Sequence, residues 1–144
     1  YMCQNSLVEI ESATEKIILM SKVMPDAKWR VALLIYNGAW ASTVFSSLEL
    51  FHSANLRQPK DQQFHCDLLS SDNQPVQLYG GHSIYGDTMI GEQSYDLIIL
   101  AHYWGDFEQV TQQHPEIPPW LAQQYAQGAR IAGINSGIFW AAEA

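Results

Sequence analysis

Between residues 30 and 144, apolar runs that suit buried strands alternate with stretches of helical spacing. Val31–Tyr36 is continuously apolar, as a strand buried on both faces requires, and Asn37-Gly38 breaks it. A helix is predicted over 42–57, with Val44, Phe45, Leu48, Phe51 and, less cleanly, Leu56 along one face, and with Ser42 as its N-cap. Phe64–Leu69 alternates weakly before the turn cluster Ser70-Ser71-Asp72-Asn73. Residues 76–90, punctuated by Gly80-Gly81 and Gly86-Asp87, read as short antiparallel strands or a hairpin. Tyr95–Ala101 is a second buried strand. Pro118-Pro119-Trp120 opens a helix that runs to about Gln127, with Gly128 as its stop. Arg130–Ile134 is a third buried strand, and Gly137 begins another helix. Strands joined by helices predict an α/β three-layer sandwich with a mainly parallel sheet. The strands 31–36, 95–101 and 130–134 are expected side by side at its centre. At least one more strand and helix would be expected to finish such a sheet, so the domain over 30–144 reads as truncated at its C-terminal end.

Residues 1–29 follow a different pattern. Ser12-Ala13-Thr14-Glu15 has capping-box spacing ahead of Ile17-Ile18-Leu19-Met20, and Pro25 closes the stretch. This predicts a short helix over 13–24 in a peripheral N-terminal arm.

Composition narrows the function classes. A 144-residue chain that is 47% hydrophobic can bury the core of one domain. Its net charge of −8, and the scatter of Arg30, Arg57, Lys60 and Arg130 after residue 29, argue against a nucleic-acid groove. The two cysteines, Cys3 and Cys66, are too few for a disulfide scaffold and fit a reducing, cytoplasmic compartment. No apolar run approaches the roughly 20 residues of a membrane span, and no signal-peptide pattern opens the chain.

In an open parallel sheet, ligands bind beyond the carboxyl ends of the strands. Gly133-Ile134-Asn135-Ser136-Gly137 lies between a strand and a helix with the spacing of a nucleophile elbow. Its middle residue, Asn135, carries a neutral amide and has no nucleophilic form. No histidine is near Ser136 in the pattern, so Ser136 is expected to cap the following helix rather than attack a substrate. Cys66 and its neighbour His65 point to opposite faces of a strand and cannot pair, so Cys66 is expected to be buried and inert. The five histidines show no metal-ligand spacing, and neither a metal nor a cofactor is expected. Trp40, Tyr103, Trp104 and Trp140 map to the strand-end loops, where they either pack as core or wall a pocket.

Three stretches together resemble the ThiJ/PfpI branch of the class I glutamine amidotransferase-like superfamily. They are the strand and helix of 31–57 with Leu48-Glu49-Leu50-Phe51, the strand Tyr95–Leu100 with its glycine-containing loop, and Ala129–Ala144. The similarity is greatest to the amidase-like N-terminal domain of AraC-type transcriptional regulators. The resemblance implies a flavodoxin-like fold. It implies a cysteine at the position of Asn135, an acid at Glu49, and a Gly pair at His102-Tyr103. Two of these three are replaced, leaving a degenerate elbow of Glu49, His102, Tyr103, Asn135, Ser136 and Gly137, with Trp40, Trp104 and Trp140 as its candidate wall. The expectation is a catalytically inactive module that senses a small-molecule effector or forms a homodimer. DNA contact would fall to a helix-turn-helix domain that these residues do not contain. The alternative is an active hydrolase, lyase or hydratase of the same kind with a non-standard site.

Overall fold

The computed structural model describes residues 29–144, so the helix expected over 13–24 lies outside the described residues. Five strands form one sheet in the order β5-β2-β1-β6-β7, every neighbouring pair parallel: β1 (Trp29–Leu34), β2 (Phe64–Ser70), β5 (Thr88–Met89), β6 (Leu97–Leu100) and β7 (Arg130–Gly133). β3 (Val76–Gln77) and β4 (Ser83–Ile84) make the separate antiparallel hairpin expected from the glycine-punctuated stretch, but Thr88–Met89 of the same stretch pairs parallel with β2 in the main sheet instead. The helices are α1 (Ala41–Asn55), α2 (Phe107–Gln113), α3 (Ile117–Ala126) and α4 (Phe139–Glu143). Single 3-10 turns lie at Lys60–Gln62 and Asn135–Ile138.

The alternation of a strand explains the layers. Val31, Leu33 and Ile99 point to one face and pack with Leu48 and Phe51 of α1. Ala32, Leu34, Ile98 and Leu100 point to the other face, under Ile117, Trp120 and Leu121 of α3 and Trp140 of α4. At about 25 cal/mol per Å2 of apolar area, each aliphatic chain buried in this way contributes about 1.5–3 kcal/mol.

Four local expectations are corrected. β1, β6 and β7 are adjacent and parallel, but β7 is at the sheet edge among the described residues, and its Arg130 and Ala132 are exposed. The cap of α1 is Trp40, with no side-chain cap bond, because the chain turns two residues earlier than Ser42 would have it. Phe45 and Leu56 lie off the buried face, 42% and 75% exposed, since Val44, Ser47, Leu48 and Phe51 already fill the side of α1 that meets the sheet. Helix α2 was not anticipated. Its signal is Asp106, whose carboxylate accepts from the backbone N–H groups of Glu108 and Gln109.

An ion-pair cluster sits on β1 and β2. Asp67, 9% exposed, accepts from Arg30 at 3.1 Å and faces His65 Nε2 at 2.9 Å, and the Arg30 guanidinium lies 5.0 Å from the centre of the Tyr95 ring. Burial, with the Asp67 charge adding to it, pushes the Tyr95 phenol well above its ordinary range. Cys66 is only half-buried and sits on the opposite face from His65, among the residues under α1.

Candidate functional site

The parallel register brings three loops to the same sheet edge: residues 35–40 after β1, 101–106 after β6, and 134–138 after β7. They are knitted directly to one another. Trp40 N–H donates to the His102 carbonyl at 2.9 Å, His102 N–H donates to Thr43 Oγ1 at 3.3 Å, and Ala39 forms an isolated antiparallel bridge with Tyr103. Tyr36, fully buried, donates its hydroxyl to the Ala101 carbonyl at 2.5 Å. Burial raises that phenol well above its ordinary range.

Two glycines make this closeness possible. A Cβ on Gly137 would sit 2.3 Å from the Leu100 carbonyl oxygen and 2.5 Å from that of Ala101, so only glycine lets the turn press against the end of β6. Gly38, at φ 85°, leaves room for the Tyr103 ring, 2.6 Å from where its Cβ would be. Asn135 has φ 49°, the one non-glycine in the left-handed region among the described residues, as the apex of a sharp strand-to-helix turn demands. The elbow geometry is present, with an exposed carboxamide at its tip.

Ser136 is the centre of the site. Its Oγ receives the Tyr103 N–H at 2.9 Å, contacts the Tyr103 carbonyl oxygen, and lies 2.8 Å from His102 Nδ1. A hydroxyl has one proton and two lone pairs. A carbonyl can only accept, so the proton goes to Tyr103, and the lone pairs receive the Tyr103 N–H and the His102 Nδ1–H. With the Ser136 proton on the Tyr103 carbonyl, a neutral His102 donates to Ser136 through its Nδ1–H. Ser136 therefore does not hand its proton to His102, and it makes no helix cap: the turn that follows is capped by Ile134 and has no side-chain bond. The expectation that no histidine is near Ser136 is corrected by the β6–β7 pairing, which brings residues 34 positions apart into contact.

Around His102 the aromatic groups divide. Trp40 is half-buried, stacked on Tyr79 from the hairpin (centroids 5.1 Å, planes 12° apart) and edge-on to His102 (4.6 Å, 64°). Its indole N–H is sealed and has no acceptor among the described residues. Trp140 is not a pocket wall: it is fully buried, packed edge-on to Tyr36 at 5.2 Å and Phe107 at 5.1 Å. Trp104 is 69% exposed and walls nothing.

No protein-family model matches the sequence, and none of the curated proteins matches it. Solved structures do. A provisionally assigned transcriptional regulator from Vibrio parahaemolyticus superposes with a TM-score of 0.69 at 24% identity, covering 81% of this chain and 61% of its own. An AraC family transcriptional regulator from Pseudomonas putida gives 0.67 at 18%, covering 81% and 70%. A ThiJ/PfpI family protein from Pseudomonas syringae gives 0.67 at 17%, covering 86% and 49%. The fold is the ThiJ/PfpI fold. The chain spans about three fifths of the Vibrio protein and about half of the P. syringae protein.

Within this ThiJ/PfpI fold, Glu49 is not part of the strand-end cluster. It is exposed and makes no hydrogen bond among the described residues, because it follows Leu48 by a 100° turn away from the sheet. The α1 side chain that does reach the site is Thr43, which donates to the Trp40 carbonyl at 2.8 Å and accepts from His102. Thr43 and Tyr79 were both missed. Thr43 is one residue on from the expected cap, and Tyr79 arrives through a hairpin whose docking has no local sequence signal. Among the described residues no three His, Cys, Asp or Glu side chains are grouped to hold a metal ion, and no helix is long and apolar enough to cross a membrane.

Proposed function

We propose that this domain is a catalytically silent member of the ThiJ/PfpI group, acting in the cytoplasm as the effector-sensing and dimerising module of an AraC-type transcriptional regulator. The observation that carries the reading is the occupant of the elbow. Asn135 has no nucleophilic form, and the adjacent Ser136 spends its proton on the Tyr103 carbonyl. The His102–Ser136 contact at 2.8 Å is the feature that favours the alternative, an active enzyme, and the hydrogen-bond inventory opposes it. The transcriptional regulators among the structural neighbours support the regulatory reading. The net charge of −8 agrees with DNA contact being made elsewhere in such a regulator.

The effector site proposed is the face formed by Trp40, Tyr79 and His102. It offers aromatic surface and a half-buried imidazole, which together suit a flat molecule with a polar edge. Two measurements test this. Amide, peptide and α-oxoaldehyde substrates should show no turnover above the buffer blank; turnover that disappears in Asn135→Ala would overturn catalytic silence. Screening heteroaromatic compounds by thermal shift should find ligands whose effect is lost in Trp40→Ala. Ligands that stabilise both proteins equally would place the site elsewhere.

A further inference from the structure

Asn37 is the one asparagine in the sequence that is followed by glycine. A side-chain carboxamide next to an amide nitrogen that no Cβ shields is a reactive pair. When the Gly38 nitrogen loses its proton and attacks Asn37 Cγ, a C–N bond forms, the Cγ–Nδ2 bond breaks and ammonia leaves. Water then opens the five-membered imide at either carbonyl carbon and gives aspartate or isoaspartate. Water is the only other reactant.

The folded chain holds the two partners of this reaction apart. Gly38 N–H donates to the Gln77 carbonyl at 2.8 Å, and Gln77 N–H donates to Asn37 Oδ1 at 2.9 Å. One residue of β3 thus ties down both the attacking nitrogen and the carboxamide under attack. On the other side, Ala39 N–H closes the turn onto the Tyr36 carbonyl at 3.0 Å, with Gly38 at φ 85°. Ring closure needs rotation of the peptide unit between Asn37 and Gly38, and these bonds fix it from both sides. The hairpin that supplies Gln77 is a small unit, two residues in each strand, so it can open without the main sheet. Tyr79 holds it down, through its N–H on the Ala39 carbonyl at 2.8 Å and its ring on Trp40, and Asn37 itself is exposed to water. We infer that Asn37 is a latent site of deamidation and isoaspartate formation, latched shut by Gln77 of the docked hairpin. Opening the hairpin frees both groups at once. The isoaspartate product routes the main chain through one extra carbon in the loop whose Trp40 N–H reaches the His102 carbonyl, so conversion disturbs the strand-end cluster. The inference is independent of the function proposed above.

The test follows Asn37 in the full 144-residue chain, incubated in mildly alkaline buffer with and without guanidinium chloride. Peptide mass mapping reads conversion, and electron-transfer fragmentation separates isoaspartate from aspartate. The unfolded chain should convert at least about tenfold faster, the factor expected from releasing two hydrogen bonds. Hydrogen–deuterium exchange at the Gly38 amide should be slowed in the folded chain by a similar factor, because the same opening exposes the same nitrogen. Tyr79→Ala, which loosens the hairpin without altering the dipeptide, should speed both processes together, with circular dichroism reporting an intact fold. Equal conversion with and without denaturant, an unconverted Asn37 in the unfolded chain, or a Gly38 amide that exchanges freely would each overturn the latch. A folded Tyr79→Ala chain that converts no faster than wild type would overturn the part given to the hairpin. Should Tyr79→Ala fail to fold, the two wild-type measurements decide by themselves.

Discussion

Ser136→Ala isolates the contact that ties the elbow to the loop after β6. The substitution removes one oxygen and leaves three groups without their partner: the Tyr103 N–H at 2.9 Å, the Tyr103 carbonyl, and His102 Nδ1 at 2.8 Å. A neutral hydrogen bond contributes about 0.5–1.5 kcal/mol net, and an abandoned buried group costs about 1–3 kcal/mol. Ser136, His102 and Tyr103 are all half-buried, so water can reach part of what the hydroxyl leaves behind. The expected loss is therefore about 2 kcal/mol rather than the full sum. For a domain of this size about 4 °C of Tm accompanies each kcal/mol, which gives a fall of about 8 °C. Urea unfolding followed by circular dichroism should show the midpoint drop with an unchanged m-value. Ser136→Thr, which keeps the hydroxyl, should retain more than half of the difference. Nitrogen-15 NMR adds a readout that packing alone would not move. Wild-type neutral His102 should carry its proton on Nδ1, and Ser136→Ala should release it toward the Nε2–H form. A stability change below about 0.5 kcal/mol, or an Nε2–H tautomer in the wild type, would refute the hydrogen-bond assignment and restore Ser136 as a candidate nucleophile.

Three further outcomes are expected. Gly137→Ala should cost more than about 3 kcal/mol, because its Cβ would press on backbone oxygens 2.3 and 2.5 Å away that cannot swing aside; a Tm within two or so degrees of wild type by calorimetry would contradict the close approach. Asp67→Asn should lose about 1–2 kcal/mol in low salt and less in high salt, since it strips the charge facing Arg30 and His65, whose side chains are 41% and 36% exposed; a salt-independent loss in chemical denaturation would show that packing dominates. Burial, reinforced by the Asp67 charge, pushes the Cys66 thiol up from 9.0 to about 11, so the folded state holds this proton more tightly than the unfolded chain. Its contribution to stability is complete below pH 9 and is lost as pH rises through 11. Thiolate absorbance in a Cys3→Ser background should rise near pH 11, and a rise near pH 9 would contradict the burial argument.

The parallel sheet was legible because its strands must be apolar on both faces. Val31–Tyr36 and Tyr95–Ala101 announce buried strands without help from neighbours. The elbow was legible for a related reason: Gly133, Asn135 and Gly137 are residues that a sharp turn pressed against a strand demands, and that demand is local. Side-chain roles were not local. Whether Glu49 or Thr43 of α1 faces the strand ends depends on how the helix is rotated against the sheet, and the packing of Val44, Leu48 and Phe51 decides that rotation. Trp140 became core because Tyr36 and Phe107, each distant in sequence, close around it. His102 reached Ser136 only because β6 and β7 pair in parallel, which sets the loops that follow them side by side. The sequence by itself determined which segments are strands and where the chain must turn, since those depend on residue type and spacing. The tertiary structure alone decided which side chains meet at the strand ends, because that is set by register and helix rotation, and neither is written in any single segment.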